Sequence, residues 1–373
     1  AKCLSKNYDV TVITAFPHLH SKIPSSYRFH LTKKEKIDKI KIIRVRVPSL
    51  LHNSIKNRIF LHFSFLISSL FPLFSQKPDV IFASEPNLLS IIPAYFYSKL
   101  RGGKVIRVVD DLWPEVLYER NIVKNKFFKI FLNQLAKFSY TFPSIILPLT
   151  EEAAQNISRL YKISKEKIIV IQHGVNIEIF KPLPKKSQKE FVVMYSGALV
   201  ESYDFDIIFE AAKILKNENI KFIIRGKGIL QDYLVTRKNQ FNLDKVIIDE
   251  EIVSEQKLIK KLNEADVFVV PMKNDKFLNM SLPTKILEYQ ALGKPIICCS
   301  DGAPGNYVKK TDSGIKVNCG DTKEFVKAIT YLQDNKKIRE QFGINGKKIV
   351  DEKLSFDKIE KRLASLIQTL IRT

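Results

Sequence analysis

Short apolar runs rich in β-branched residues recur along this chain with helical patterns between them, and that alternation leaves few folds open. The runs are Asp9–Thr14, Ile42–Val47, Asp79–Ala83, Val105–Val109, Ile145–Leu149 and Ile168–Ile171 in the first half. In the second half they are Phe191–Tyr195, Phe222–Arg225, Val246–Ile248, Val267–Pro271 and Pro295–Cys299. Each is continuous rather than alternating in polarity, as strands buried on both faces of a parallel sheet require. Parallel neighbours need crossovers, and the intervening helical segments supply them, so a doubly wound α/β architecture is expected. A chain of 373 residues is long enough for two such domains. The polar segment KPLPKKSQKE (Lys181–Glu190), with two prolines, is the best linker, giving domains at 1–180 and 181–373. The chain opens on AKCLSKNYDVTVIT, which reads as a helix end running into a strand. Because an α/β domain normally begins with a strand, a first strand and its loop are expected upstream of Ala1.

The net charge of +22 is uneven. Residues 1–182 hold 28 Lys and Arg against 13 Asp and Glu, and residues 1–60 alone hold 13 against 3. This asymmetry implies an anionic partner on the N-terminal side: nucleic acid, acidic lipid or polyphosphate, against the plain alternative of solubility charge. Nucleic acid would call for aromatic–basic interleaving or a recognition helix, and neither is found; the acidic Asp110–Glu115 segment would repel phosphate. The most apolar stretch, Ile59–Phe74, is 16 residues long and contains Pro72, too short for a comfortable membrane span. Two readings stand: a core helix of the first domain, or a helix dipping into a membrane interface, favoured by flanking Lys56, Arg58 and Lys77. Cys3, Cys298, Cys299 and Cys319 show no metal or disulfide spacing, and the adjacent pair lies in a strand-like run, so buried thiols in a reducing compartment are expected.

Three segments carry chemistry. In Met194–Leu215 a strand ends at Ser196-Gly197 and a helix follows, so backbone amides face an approaching ligand. In Phe222–Leu234 a strand carrying Arg225 runs into Gly226-Lys227-Gly228, which suits a phosphate or sugar, or else makes only a tight turn. In Leu282–Gly302, Pro283 opens a helix, Thr284 is a possible cap, and Lys285 and Glu288 share one face. A lysine beside a helix N-terminus holds a diphosphate, and a carboxylate one turn on accepts ribose hydroxyls; the plain alternative is a surface ion pair.

Taken together, VIQHGVNIEIFKP (Val170–Pro182), YSGALV, IRGKG, EADVFVVP (Glu264–Pro271) and PTKILEYQALGKPII follow the order and spacing of glycosyltransferase family 4. The string DLWPE (Asp111–Glu115) resembles the branch that builds bacterial and archaeal surface polysaccharides. The resemblance covers nearly the whole chain. It implies two Rossmann-like doubly wound parallel-sheet domains facing a cleft (the GT-B fold), the last helix packing back on the first domain, and retaining transfer with no metal or other cofactor. In such a transfer the leaving diphosphate accepts the proton of the incoming hydroxyl, and the protein stabilises charge and positions the acceptor.

Residue by residue, Glu288 matches the second glutamate of the family's Glu-x7-Glu pair and is expected to bind the donor ribose. Met280 stands where the first glutamate belongs. Ala198 and Tyr203 stand where the family's diphosphate-binding Arg and Lys belong. Arg225, Lys227 and Lys285 are the cations left nearby, and the expected donor set is Gly197, Arg225, Gly226, Lys227, Gly228, Thr284, Lys285 and Glu288. Asp111 and Glu115 are the expected catalytic-centre carboxylates, with helix capping as the alternative for Asp111. Glu85, Trp113 and His173 are expected to line the acceptor side. The expected function is transfer of a hexosyl or N-acetylhexosaminyl group from a nucleotide-diphosphate sugar to a lipid-linked saccharide or polysaccharide. It is placed in the cytoplasm, peripheral at the anionic inner face of the membrane, and without nucleic acid. Rivals are a nucleotide-sugar epimerase on the same scaffold and, more remotely, a basic nucleic-acid-binding protein.

Overall fold

The computed structural model describes residues 1–16, 30–48, 55–84, 88–119, 122–184 and 190–372. Glu85 and residues 185–189 of the Lys181–Glu190 linker lie outside them. Two compact units are present, residues 1–171 with 360–373, and residues 172–359.

The first unit runs β1 (Thr11–Ala15), β2 (Thr32–Ile37), β3 (Ile40–Val45), α1 (Ile55–Gln76), β4 (Val80–Ser84), α2 (Ile91–Arg101) and β5 (Lys104–Val109). It continues with α3 (Glu115–Glu119), α4 (Lys126–Thr141), β6 (Ile145–Pro148) and α5 (Glu151–Tyr161). β3 lies between β1, to which it is parallel, and β2, to which it is antiparallel. β4, β5 and β6 form a parallel set in sequence order. Asn125 caps α4 by accepting from Phe128 N at 3.0 Å, and Thr150 caps α5 by accepting from Ala153 N at 3.1 Å.

The second unit runs β7 (Phe191–Ser196), α6 (Asp206–Ile214), β8 (Ile220–Arg225), α7 (Gln231–Gln240), β9 (Val246–Asp249), α8 (Glu255–Asn263) and β10 (Val267–Pro271). It continues with α9 (Thr284–Ala291), β11 (Ile296–Cys299), α10 (Ala303–Lys310), β12 (Gly314–Val317), α11 (Thr322–Asp334) and α12 (Lys336–Ile349). The last helix, α13 (Phe356–Arg372), groups with the first unit from Glu360 onward. All six strands are parallel, in the order β12-β11-β10-β7-β8-β9. Chain order reverses between β7 and β10, and ligands of such sheets bind there, beyond the carboxyl ends of the strands. Every residue of β10 and β11 is buried, including the free thiols of Cys298 and Cys299, whose pKa values burial pushes up. Helices cover both faces of this sheet, which is why its strands carry no polar alternation.

Three strand expectations change. β2 (TKKEKI) is an antiparallel edge, largely solvated, so it carries no apolar run. β12 (GIKV) is short, begins on Gly314 and is likewise an edge. Ile168–Ile171 is extended along β6, with Ile169 N donating to Ile146 O at 2.9 Å and Ile171 N to Pro148 O at 3.1 Å, but it forms only one bridge.

Candidate functional site

The second unit gathers most of the expected donor set at the switch point. Gly197 follows β7, Gly226 follows β8, and the segment after β10 leads into α9. The β7 and β8 loops are clasped backbone to backbone: Gly197 N donates to Arg225 O at 3.0 Å, and Leu199 N to Lys227 O at 2.9 Å. At Gly226 φ is +145°, and a Cβ there would stand 1.8 Å from Gly197 O. Only glycine lets the loops close to this distance. At Gly197 φ is +151°, and a Cβ would lie 2.6 Å from Lys285 Nζ, so the lysine tip rests directly over this peptide. Gly228 packs against the Leu199 backbone in the same clasp, while the Lys227 side chain projects into solvent. The glycine pair therefore builds the turn, and its peptides rather than its side of the loop remain for a ligand.

α9 begins differently from expectation. Pro283 occupies the N-cap, no side chain caps the helix, and Thr284 is its first, exposed residue. Ile286 N donates to Pro283 O at 3.0 Å, and the Thr284 and Lys285 N–H groups ahead of it stand at the positive end of the helix dipole. One residue on, Lys285 is only 9% exposed. Its Nζ donates to Tyr195 Oη at 2.6 Å and sits 4.1 Å from the Tyr195 ring centroid and 3.8 Å from that of Tyr203. The two rings pack edge to face at 5.2 Å, so they form an aromatic cage around the ammonium. Tyr195 Oη in turn donates to Ala198 O at 2.6 Å.

Burial lowers the Lys285 pKa to about 7, and the nearby Glu288 charge opposes this only in part. Burial raises the Glu288 carboxyl above its ordinary value, with Lys285 in partial opposition. No ion pair joins Lys285 to a carboxylate among the described residues, so the surface-pair reading of Lys285 and Glu288 does not hold. Tyr203, at the position of the family's lysine, is a neutral phenol whose pKa burial pushes up to about 12. Tyr289 closes the back of the site: its ring stacks on Phe268 at 3.7 Å, its hydroxyl donates to Ser196 O at 2.7 Å, and that hydroxyl accepts from Ser196 N at 2.9 Å.

Arg225 is a correction. Its buried guanidinium is committed to the fold, paired with Asp249 in register on β9 and donating to Glu251 O at 2.6 Å. Lys261 reaches the same carboxylate at 2.8 Å. Burial alone would raise Asp249, but hydrogen bonds from Lys261, the Glu251 amide and Arg225 outweigh it and hold the carboxyl below its usual range. Arg225→Ala is expected to lower stability by about 2 kcal/mol, because the partly buried Asp249 keeps Lys261 but loses its second cationic partner. The change should appear as a lower denaturant midpoint, with donor affinity held within about two-fold.

In the first unit, Asp111 is exposed beyond the carboxyl end of β5. α3 begins at Glu115, so Pro114 rather than Asp111 stands at its N-cap. Glu115 accepts a hydrogen bond from Tyr161 at the end of α5. Trp113 is half-buried, and its carbonyl accepts from Tyr140 Oη at 3.4 Å. His173 is half-buried in the second unit, beside Gly174, where a Cβ would come 2.9 Å from Phe356. Among the described residues no three His, Cys, Asp or Glu side chains are grouped to hold a metal.

The residues that sequence reasoning missed are Tyr195 and Tyr203 as partners of Lys285. The available signal was the run of aromatics in YSGALVESYDF, placed where the family has a lysine.

Residues 1–179 match the family described as Glycosyltransferase Family 4, and residues 176–349 the one described as Glycosyl transferases group 1. Among relatives, the chain is similar to the capsular polysaccharide biosynthesis glycosyltransferase CapM of Staphylococcus aureus, 27% identical over 268 residues, 66% of this chain and 67% of that protein. It is 28% identical over 196 residues to the UDP-Gal:alpha-D-GlcNAc-diphosphoundecaprenol alpha-1,3-galactosyltransferase of Escherichia coli, covering 48% of each chain. This match spans about half the length of that relative. A solved structure, sucrose-phosphate synthase from Thermosynechococcus elongatus, superposes with a TM-score of 0.77 at 15% identity, over 99% of this chain and 90% of that one. Two Rossmann-like units of this kind make up the GT-B fold. The chain belongs to glycosyltransferase family 4, the two matches together spanning residues 1–349.

Proposed function

We propose that the second unit binds the nucleotide diphosphate of a sugar donor, and that the chain transfers a hexosyl or N-acetylhexosaminyl group, with retention, to a lipid-linked saccharide or polysaccharide. The observation that carries the reading is the caged Lys285. A buried ammonium without a carboxylate partner is unstable on its own. A diphosphate at the switch point would complete it, with the α9 amides and the Gly197 peptide as further donors. Glu288, one turn along α9, accepts the ribose hydroxyls. Lys227 is exposed and able to reach outer phosphate oxygens; Arg225 has no part.

Retention requires attack on the face from which the diphosphate departs, and Lys285 and the amides stabilise the charge on that leaving group. The diphosphate then takes the proton of the incoming hydroxyl on the same face. Asp111, Glu115, Trp113 and His173 are assigned to the acceptor and sugar end of the reaction. The alpha linkage in the Escherichia coli relative's name, and its diphosphoundecaprenol acceptor, support this reading.

A panel of nucleotide sugars offered with lipid-linked saccharide acceptors tests it. Transfer with retained anomeric configuration is the expected result; an isomerised donor without acceptor would identify an epimerase and overturn it. For Glu288, parent protein should bind UDP about ten-fold more tightly than 2′-deoxy-UDP. Glu288→Gln should bind the two nearly alike in calorimetric titration.

A further inference from the structure

We propose that the helical face of the first unit formed by α1, α2 and α4 is a docking surface for an anionic lipid bilayer. The surface is wider than the single apolar run the sequence draws attention to, and topology sets its extent. β4, β5 and β6 are parallel and step in one direction. Right-handed crossovers therefore put α2 and α4 on the same side of that sheet. Tyr95 of α2 packs edge-on against Phe138 and Phe142 of α4 at 5.1 and 4.9 Å, and α1 packs beside α2.

The outer side of these helices is apolar. On α1, Ile59, Phe60, Phe63, Ile67 and Phe71 are exposed, Phe71 at 80%. On α2 they are Phe96 and Leu100, and on α4 Phe127, Ile130 and Phe131, with Phe127 83% exposed. A soluble unit rarely leaves so large an apolar patch in water without a partner.

Charge selects the partner. α1, α2 and α4 contain no Asp or Glu, while Lys56, Arg58, Lys99, Arg101, Lys126, Lys129 and Lys137 lie within them. The other helices that place residues in this unit, α3, α5 and α13, all contain acids. Exposed apolar side chains on helices whose sequences carry basic residues and no acids match a surface that is apolar below and negative above.

The helices lie on the bilayer and do not cross it. α1 is long and apolar enough to span by length and composition. Its other side, however, carries buried Leu61, Ser69 and Leu73, packs on β1 and β3, and is tied by Ser68 Oγ to Arg46 O at 3.0 Å. Extraction into lipid would strip the cover from those strands. The exposed Phe, Ile and Leu side chains instead insert to the depth of the acyl boundary, with lysines at the headgroups.

Co-sedimentation of the full chain with phosphatidylcholine vesicles, and with vesicles of roughly one-third phosphatidylglycerol, tests the proposal. Binding is expected to the anionic vesicles only and to weaken as salt is raised. Phe127→Ser/Phe131→Ser and Lys124→Glu/Lys126→Glu should each weaken it by about ten-fold or more. All four side chains are exposed, so melting temperature and affinity for UDP should match the parent and show that the fold is intact. Absence of binding to anionic vesicles overturns the proposal, as does undiminished binding by both double variants. A dimer in light scattering that Phe127→Ser/Phe131→Ser dissociates, with no vesicle binding by the parent, would assign this face to a second copy of the chain instead.

Discussion

Lys285→Met is expected to lower kcat/KM for sugar transfer by roughly a hundred- to a thousand-fold while raising the melting temperature of the unliganded protein. The two effects have opposite signs because the free and liganded site ask different things of the side chain. Without ligand, Lys285 is buried against Tyr195 and Tyr203 and donates to a phenol oxygen, with no carboxylate paired to it among the described residues. Its pKa of about 7 lies below the ordinary lysine value of 10.5. The unfolded chain therefore holds the proton more tightly. The stability penalty of burying the ammonium is full below about 7 and disappears as pH rises through 10.5. Methionine fills a similar volume without charge, so it removes the penalty.

With a nucleotide sugar bound, the diphosphate holds the ammonium charged and the Lys285 pKa rises. Between about 7 and that higher value binding takes up one proton, so donor affinity should fall by up to about ten-fold per pH unit as pH rises. Calorimetry in buffers of different ionisation enthalpy would measure the uptake. A pH-independent affinity in the parent, or the same slope in Lys285→Met, would remove Lys285 from the donor site.

Gly226→Ala is expected to give the second large effect, a loss of roughly 3 kcal/mol or more in stability together with loss of donor binding. Two constraints act at one residue. The backbone at φ +145° is a region that side-chain-bearing residues rarely adopt. The added Cβ would also meet Gly197 O at 1.8 Å, and that obstacle is backbone which no rotamer relieves. Opening the clasp shifts the Gly197 peptide, on which the Lys285 tip rests. Gly197→Ala makes the contrast. Its added carbon meets a side-chain atom, Lys285 Nζ at 2.6 Å, rather than backbone, so the lysine can shift, backbone strain at φ +151° should dominate and the loss should be smaller. Thermal melting of the two variants side by side, with and without UDP, reads both terms.

Much of this was legible in the chain itself. Continuous β-branched runs such as Val267–Pro271 announce strands covered on both faces, because no water-facing side exists to demand polar residues. Solvated edges such as Thr32–Ile37 were not legible, since an edge strand is held by one neighbour and needs no apolar pattern. Motif order supplied the family and the helix carrying Lys285 and Glu288. The residue types at Ala198, Tyr203 and Met280 already marked an altered donor site.

Tertiary structure alone decided what each candidate touches. Arg225 and Lys285 look equally available in sequence, yet Arg225 meets Asp249 across β8 and β9, whereas Lys285 enters a cage made by the end of β7 and the loop after it. The face shared by α1, α2 and α4 is of the same kind. Acid-free helices separated in sequence become one surface only when parallel strands and right-handed crossovers set them side by side. Local sequence fixes which elements form, because propensity and periodicity act over a few residues. Partners of a buried charge and the neighbours of an exposed ring lie tens to hundreds of residues away, and only the packed chain selects them.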